Sequence, residues 1–251
     1  MSPVLYETGG RIARITLNRP DRLNAINGDM LDGLDAALRR AHDDADADII
    51  LLAGSGTAFC SGDDLVELAA NPPERDGVEA AIDRLQTITR LIMFGPKTVV
   101  CAVRGWAIGG GASWPLNADM AIWSETAGIR FPEGLHGLFP SGGATILLER
   151  FCSPHRANEI LMLGRPLKGP ELVRAGLAAD LVPAAEFDDR VSACLHGLQA
   201  LPGDTLARYK TARIASLRDP VECALQAETR QLADAIDALI ASGHFPDIKR
   251  A

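Results

Sequence analysis

Two glycine-containing turns and a few polar side chains near them are the residues whose type and spacing could do chemistry. Residues 54–65 (GSGTAFCSGDDL) directly follow the apolar run 49–53 (IILLA), and residues 104–113 (RGWAIGGGAS) follow 98–103 (TVVCAV). Small residues in a strand-to-helix turn let a ligand approach the backbone closely. A helix start adds exposed N–H groups and the positive end of a dipole. Two such turns on adjacent strands can aim two N–H donors at one oxygen. That is an oxyanion hole, in which each donor is typically worth about 3–4 kcal/mol of transition-state stabilisation. A dinucleotide loop at 109–111 is the competing reading, but G-x-G-x-x-G is absent and no βαβ opening precedes it near the N-terminus. Tight helix packing through the same glycines is the purely structural one.

The elements that must position these turns can be read from periodicity. Residues 11–17 (RIARITL) alternate apolar and polar side chains, as a half-buried strand does. Asn27 stands where an N-cap would, and Met30, Leu31, Leu34, Leu38 and Ala41 follow at helical spacing. The runs 49–53 and 98–103 read as strands covered on both faces, with a helix over 78–93 between them. This alternation predicts an α/β fold with βαβ units and right-handed crossovers. Beyond about residue 140 helices are expected at 142–151, 157–163, 170–175, 187–201, 205–216 and 220–241, with a short strand at 181–182. The last helix carries Leu225, Leu232, Ile236, Leu239 and Ile240 on one stripe, which needs either its own core or a neighbouring subunit to cover it.

Composition narrows the class. Of the 251 residues 47% are hydrophobic and 23% charged, enough to bury a sizeable core. A net charge of −8 argues against a general nucleic-acid or anionic-membrane surface. The five cysteines, Cys60, Cys101, Cys152, Cys194 and Cys223, show no C-x-x-C pair and read as free thiols in a reducing cytoplasm, with no metal site. Neither a signal peptide nor an apolar stretch of the ~20 residues a membrane span needs is apparent.

Four strings resemble one family. Residues 15–24 (ITLNRPDRLN), 58–65 (AFCSGDDL), 105–112 (GWAIGGGA) and 132–143 (PEGLHGLFPSGG) occur in the order, and at roughly the spacing, of the crotonase superfamily of enoyl-CoA hydratases and isomerases. The resemblance covers essentially the whole chain. It implies a crotonase-like core of repeated ββα superhelix over residues 1–195 and a helical C-terminal segment over 196–251 that covers the active site and forms oligomers, trimers or hexamers. It further implies an acyl-CoA thioester substrate, with coenzyme A as part of the substrate and no permanently bound cofactor. Position by position, the resemblance makes Ser61 and Gly110 the two N–H donors. It lays coenzyme A along Arg22, Leu23 and Ala25 and along Gly62, Asp63, Asp64 and Leu65. For Asp63 and Asp64 a simpler role is capping the following helix, and Asp64 and Asp119 match structural positions.

Acids and bases would decide the reaction. The family's hydratases face the acyl chain with two glutamates, and those positions here are Ser113 and Glu133. Hydration benefits from two carboxyl groups, whereas moving a double bond needs one group that takes the α-proton and returns it at the γ-carbon. Glu133 alone therefore favours an isomerase-like reaction. A single-glutamate hydratase with Ser113 ordering water, and a non-catalytic acyl-CoA-binding homologue, are the alternatives. Other members use an acid eight residues beyond this glutamate, here Ser141. His136 could titrate near neutrality, though a lone histidine is more often a packing residue. Neither serine stands in a G-x-S-x-G setting. The stretch 69–78 (AANPPERDGV) reads as a mobile pocket wall.

Overall fold

The computed structural model describes residues 2–70 and 77–242, so most of the expected pocket wall at 69–78 lies outside the described residues. Strands β1 (Val4–Gly9) and β2 (Ile12–Leu17) form an antiparallel hairpin. Helix α1 (Gly28–Asp43) follows, then β3 (Ile49–Gly54), α2 (Leu65–Ala70), α3 (Val78–Phe94) and β4 (Thr98–Val103). Next come β5 (Trp106–Ile108), α4 (Gly110–Asn117), β6 (Met120–Trp123) and β7 (Gly128–Arg130). The remainder is α5 (Ala144–Phe151), α6 (Pro154–Met162), β8 (Leu167–Lys168), α7 (Pro170–Arg174), α8 (Phe187–Gln199), α9 (Gly203–Ala215) and α10 (Arg218–Ser242).

Five strands form one sheet in the order β1-β2-β3-β4-β6, parallel from β2 onward, and β5-β7-β8 form a second, smaller sheet. Every residue of β4 is buried, because α1, α3 and α4 pack on one face of the larger sheet and α8 on the other. That is why β3 and β4 read as unbroken apolar runs. Asn27 caps α1 as expected, its side chain accepting from Met30 N at 3.0 Å. Helix α6 begins three residues before its predicted start, since Ser153 caps it and Pro154 fits the first helical position. The strand expected at 181–182 is only a single bridge between Ser124 and Val182.

The apolar stripe of α10 is used within the chain. Leu225 packs with Met93, Leu147, Ile214 and Val221, while Leu232, Ile236 and Ile240 pack with Val78 and Ile82 of α3. Helix α9 is pinned by a nearly buried ion pair. Lys210 Nζ lies 2.8 Å from Asp119 and also donates to the Ile92 and Lys97 carbonyls, and Arg213 completes the cluster. Asp119 accepts from Val99 N as well, which gives it the structural role expected of it. Removing one partner of a buried pair leaves the other charge uncompensated. Asp119→Ala should lower unfolding free energy by about 3–5 kcal/mol in urea denaturation. A loss under about 1 kcal/mol, the ceiling for an exposed pair, would contradict this role.

Candidate active site

The first glycine turn is held from below by Asn24. This side chain is fully buried, and its Nδ2 donates to the carbonyls of Ser55, Ala58 and Phe59 at 2.9, 2.9 and 3.2 Å while Oδ1 accepts from Arg19 N at 2.8 Å. Leu23 and Asn24 both sit in the left-handed region, at φ 51° and 56°, a conformation that Asn tolerates better than most residues. Asn24 thus clamps the segment around Arg22–Ala25 to the turn that follows β3. On its other side the turn joins β5: Phe59 N and Cys60 N donate to the Trp106 carbonyl, and Ile108 N donates to that of Cys60.

This arrangement corrects the expected oxyanion pair. Ser61 N is not available, because it donates to the Leu23 carbonyl at 3.0 Å. One step further on, Ile26 N donates to Gly62 O and Asp64 N donates to Ile26 O, both at 2.8 Å. Those two bonds bracket Asp63, and in extended backbone the residue between them turns its own N–H the opposite way. The opposite side is the one occupied by Ala107, Ile108 and Gly109. There Gly110 opens α4, where first-turn N–H groups have no helical carbonyl to bond. The N–H of the first turn that faces Gly109–Gly110 is therefore that of Asp63, two residues beyond Ser61. Sequence reasoning missed the shift because alternation along a three-residue bridge depends on its partner strand.

Glycine is required where the two turns meet. A Cβ on Gly62, at φ 82°, would come within 2.8 Å of the Ile108 carbonyl oxygen. One on Gly109, at φ 55°, would lie 3.1 Å from Glu133 Oε1. Glu133 opens a 3-10 turn through His136, and its carboxyl lies against the bare Cα of Gly109. Its Oε2 is buried without a hydrogen-bond partner. Desolvation first, then the charges of Asp63 and Glu228, push this carboxyl up to about 8.

A cavity of about 260 Å³ runs beside the two turns, with Ile26, Leu31, Ile82, Leu85, Leu232 and Ile236 among its walls. A Cβ on Gly110 would touch Ile26 and Leu85 at 3.3–3.4 Å, which places the start of α4 against these wall residues. Leu31 is only half-buried in an otherwise buried stripe, because it faces this cavity. Helix α10, by supplying Leu232 and Ile236, covers this cavity from its own chain.

Of the other expected residues, Ser113 is buried and its Oγ donates to the Ser141 carbonyl at 2.8 Å. Its Cβ lies 2.4 Å from where a Cβ on Gly142 would be, so position 142 admits only glycine. Ser141 is buried too. Burial lowers the half-buried His136, with Arg130 adding to the effect, and keeps it neutral at pH 7. Arg22 is exposed on the 3-10 turn beside the exposed Leu23, and the Arg22 carbonyl accepts from Ser61 Oγ at 3.4 Å. The two expected coenzyme-binding segments thus lie side by side. Asp64, though not Asp63, caps α2: it accepts from Glu67 N at 3.2 Å and pairs with Arg19 at 3.0 Å. Among the described residues no cluster of three or more His, Cys, Asp or Glu could hold a metal, and no helix is long and apolar enough to cross a membrane.

A sequence model described as enoyl-CoA hydratase/isomerase matches residues 7–241. The chain belongs to the enoyl-CoA hydratase/isomerase family. It is 35% identical over 238 residues to a probable enoyl-CoA hydratase of Rhodobacter capsulatus, covering 92% of this chain and 91% of that one. It is 30% identical over 215 residues to a 1,2-epoxyphenylacetyl-CoA isomerase of Escherichia coli, covering 84% and 82%. Among solved structures, an enoyl-CoA hydratase/isomerase from Mycobacterium paratuberculosis superposes with a TM-score of 0.87 at 26% identity, over 94% of both chains. The α/β crotonase fold with a helical C-terminal part is therefore that of the family, and the chain is a crotonase-family enzyme.

Two outcomes follow from the packing. Gly109→Ala should cut turnover on an enoyl-CoA at least tenfold, since a Cβ there strains the left-handed backbone and pushes the Glu133 carboxyl aside. Retention of more than a tenth of wild-type turnover would contradict the close approach. Ser113→Ala should instead keep most activity and lower stability by about 1 kcal/mol, read from urea midpoints.

Proposed function

We propose that the chain moves a proton at the α-carbon of an enoyl-CoA thioester, with Asp63 N and Gly110 N holding the thioester oxygen and Glu133 as the proton carrier. The observation that supports this most is the Glu133 carboxyl, its Oε2 buried and unpartnered and its pKa raised to about 8 beside the glycine turns. With Ser113 committed to the Ser141 carbonyl, Glu133 is the one carboxyl at the two family positions. A single carboxyl suits double-bond migration: Glu133 removes the α-proton, the two N–H groups carry the dienolate charge, and the same proton returns at the γ-carbon. The similarity to a 1,2-epoxyphenylacetyl-CoA isomerase agrees with an isomerase.

Coenzyme A fits along Arg22–Ala25 and Gly62–Leu65 as part of the substrate, with Arg22 free in water for a phosphate. On this reading the protein assembles as a homotrimer or hexamer, residues 196–251 contributing to contacts between copies. The exposed Leu135, Met162 and Leu163 support an interface, at 55%, 71% and 65% exposure on neighbouring turns. Light scattering should give the mass of three or six chains, and a monomer would refute the assembly.

Glu133→Gln should leave less than a tenth of wild-type turnover on a 3-enoyl-CoA, and more would refute the shuttle. As a base, Glu133 must be ionised in the free enzyme. Its raised pKa therefore predicts kcat/KM for isomerisation that climbs as pH rises through about 8. A profile already flat above pH 5 would contradict the burial of this group.

A further inference from the structure

The cavity wall carries an acid that isomerisation by Glu133 does not use. The exposed Asp63 lines the cavity, together with Ile26, Leu31, Val78, Ile82 and Leu85. Its neighbours are committed elsewhere. Asp64 holds Arg19 and the start of α2, Glu67 accepts from Asn27, and Arg84 is paired with Asp32. No described side chain neutralises Asp63, which is exposed at the open cavity.

Its place along the backbone fixes what it would face. The N–H of Asp63 turns toward the Gly109–Gly110 side, and the residue itself lines the cavity. A thioester oxygen held by that N–H puts the first acyl carbons next to the same residue's carboxyl. Glu133, with an oxygen buried and unpartnered, approaches from Gly109, to which Gly62, the residue before Asp63, is itself packed. Asp63 and Glu133 thus flank the contact between Gly62 and Gly109, near enough that the charge of Asp63 acts on Glu133, with Asp63 rather than Ser113 as the second group.

We propose that Asp63 is a second catalytic carboxyl, the base that activates water for addition to a 2-enoyl-CoA in this same site. The inference rests on Glu133 acting at the α-carbon in the two-amide hole. A water O–H bond breaks and its proton passes to the Asp63 carboxylate, while the oxygen forms a bond to the β-carbon. The π electrons move through the thioester enolate, and the α-carbon takes a proton from the Glu133 carboxylic acid. Asp63 ends protonated and Glu133 ionised, and transfer of one proton between them through water restores the start. Desolvation pushes Asp63 up to about 6 and Glu133 up to about 8, so near neutrality the first is mostly the base and the second mostly the acid.

The test measures two reactions on each preparation: loss of enoyl-thioester absorbance with a 2-enoyl-CoA, and double-bond migration with a 3-enoyl-CoA. Wild type should do both. Asp63→Asn and Asp63→Ser should each lower the ratio of hydration to isomerisation at least 100-fold, the usual scale for losing a general base. An unchanged ratio would overturn the role of Asp63, whether both rates persist or both fall together. So would a wild type that isomerises without hydrating. A wild type that does neither would refute the Glu133 reading itself and take this inference with it.

Discussion

A Cβ on Gly62 would collide with the Ile108 carbonyl, and one on Gly109 would crowd the Glu133 carboxyl. The site depends on this double omission of side chains. Because both backbones are bare, the turn after β3 and the turn before α4 approach closely enough to face one oxygen. The same closeness lets Glu133 lie on the Cα of Gly109, away from water. A hydrated carboxyl would titrate near its ordinary value and would be a poor base for a carbon acid. Dryness and proximity come from one packing constraint.

The rest of the fold holds that constraint in place. Asn24 ties the loop around Arg22–Ala25 to the first turn through three carbonyls. On the far side, Gln86 of α3 accepts from Gly142 N, and the buried Glu228 of α10 accepts from Gly143 N and Thr145 N at 2.8 and 3.0 Å and from Thr145 Oγ1 at 2.6 Å. These bonds fix the left-handed pair Gly142 and Gly143 just before α5. The C-terminal helix is therefore part of the site's support as well as a wall of its cavity.

Much of the fold was legible because it rests on local periodicity and composition. The buried runs of β3 and β4, the Asn27 cap and the stripe of α10 all carry their burial in the sequence. Strands β5, β7 and β8 do not, being two or three residues long, too short to show alternation. The site was legible in kind but displaced in register. Gly110 opens α4 and Glu133 lies against Gly109, whereas Ser61 N is bonded to Leu23 and the turned-in N–H is on Asp63. Which residue of an extended turn points inward is set by a bridge to Ile26, a long-range contact with no sequence signature. The commitment of Ser113 to the Ser141 carbonyl is equally non-local.

The central claim is that packing keeps the Glu133 carboxyl out of water and largely protonated at neutral pH. Infrared difference spectra of wild type against Glu133→Gln, recorded across pH without substrate, would isolate this one group. The account predicts a protonated carboxyl band that converts to carboxylate near pH 8. Conversion complete below about pH 5, as for an ordinary solvated glutamate, would contradict it.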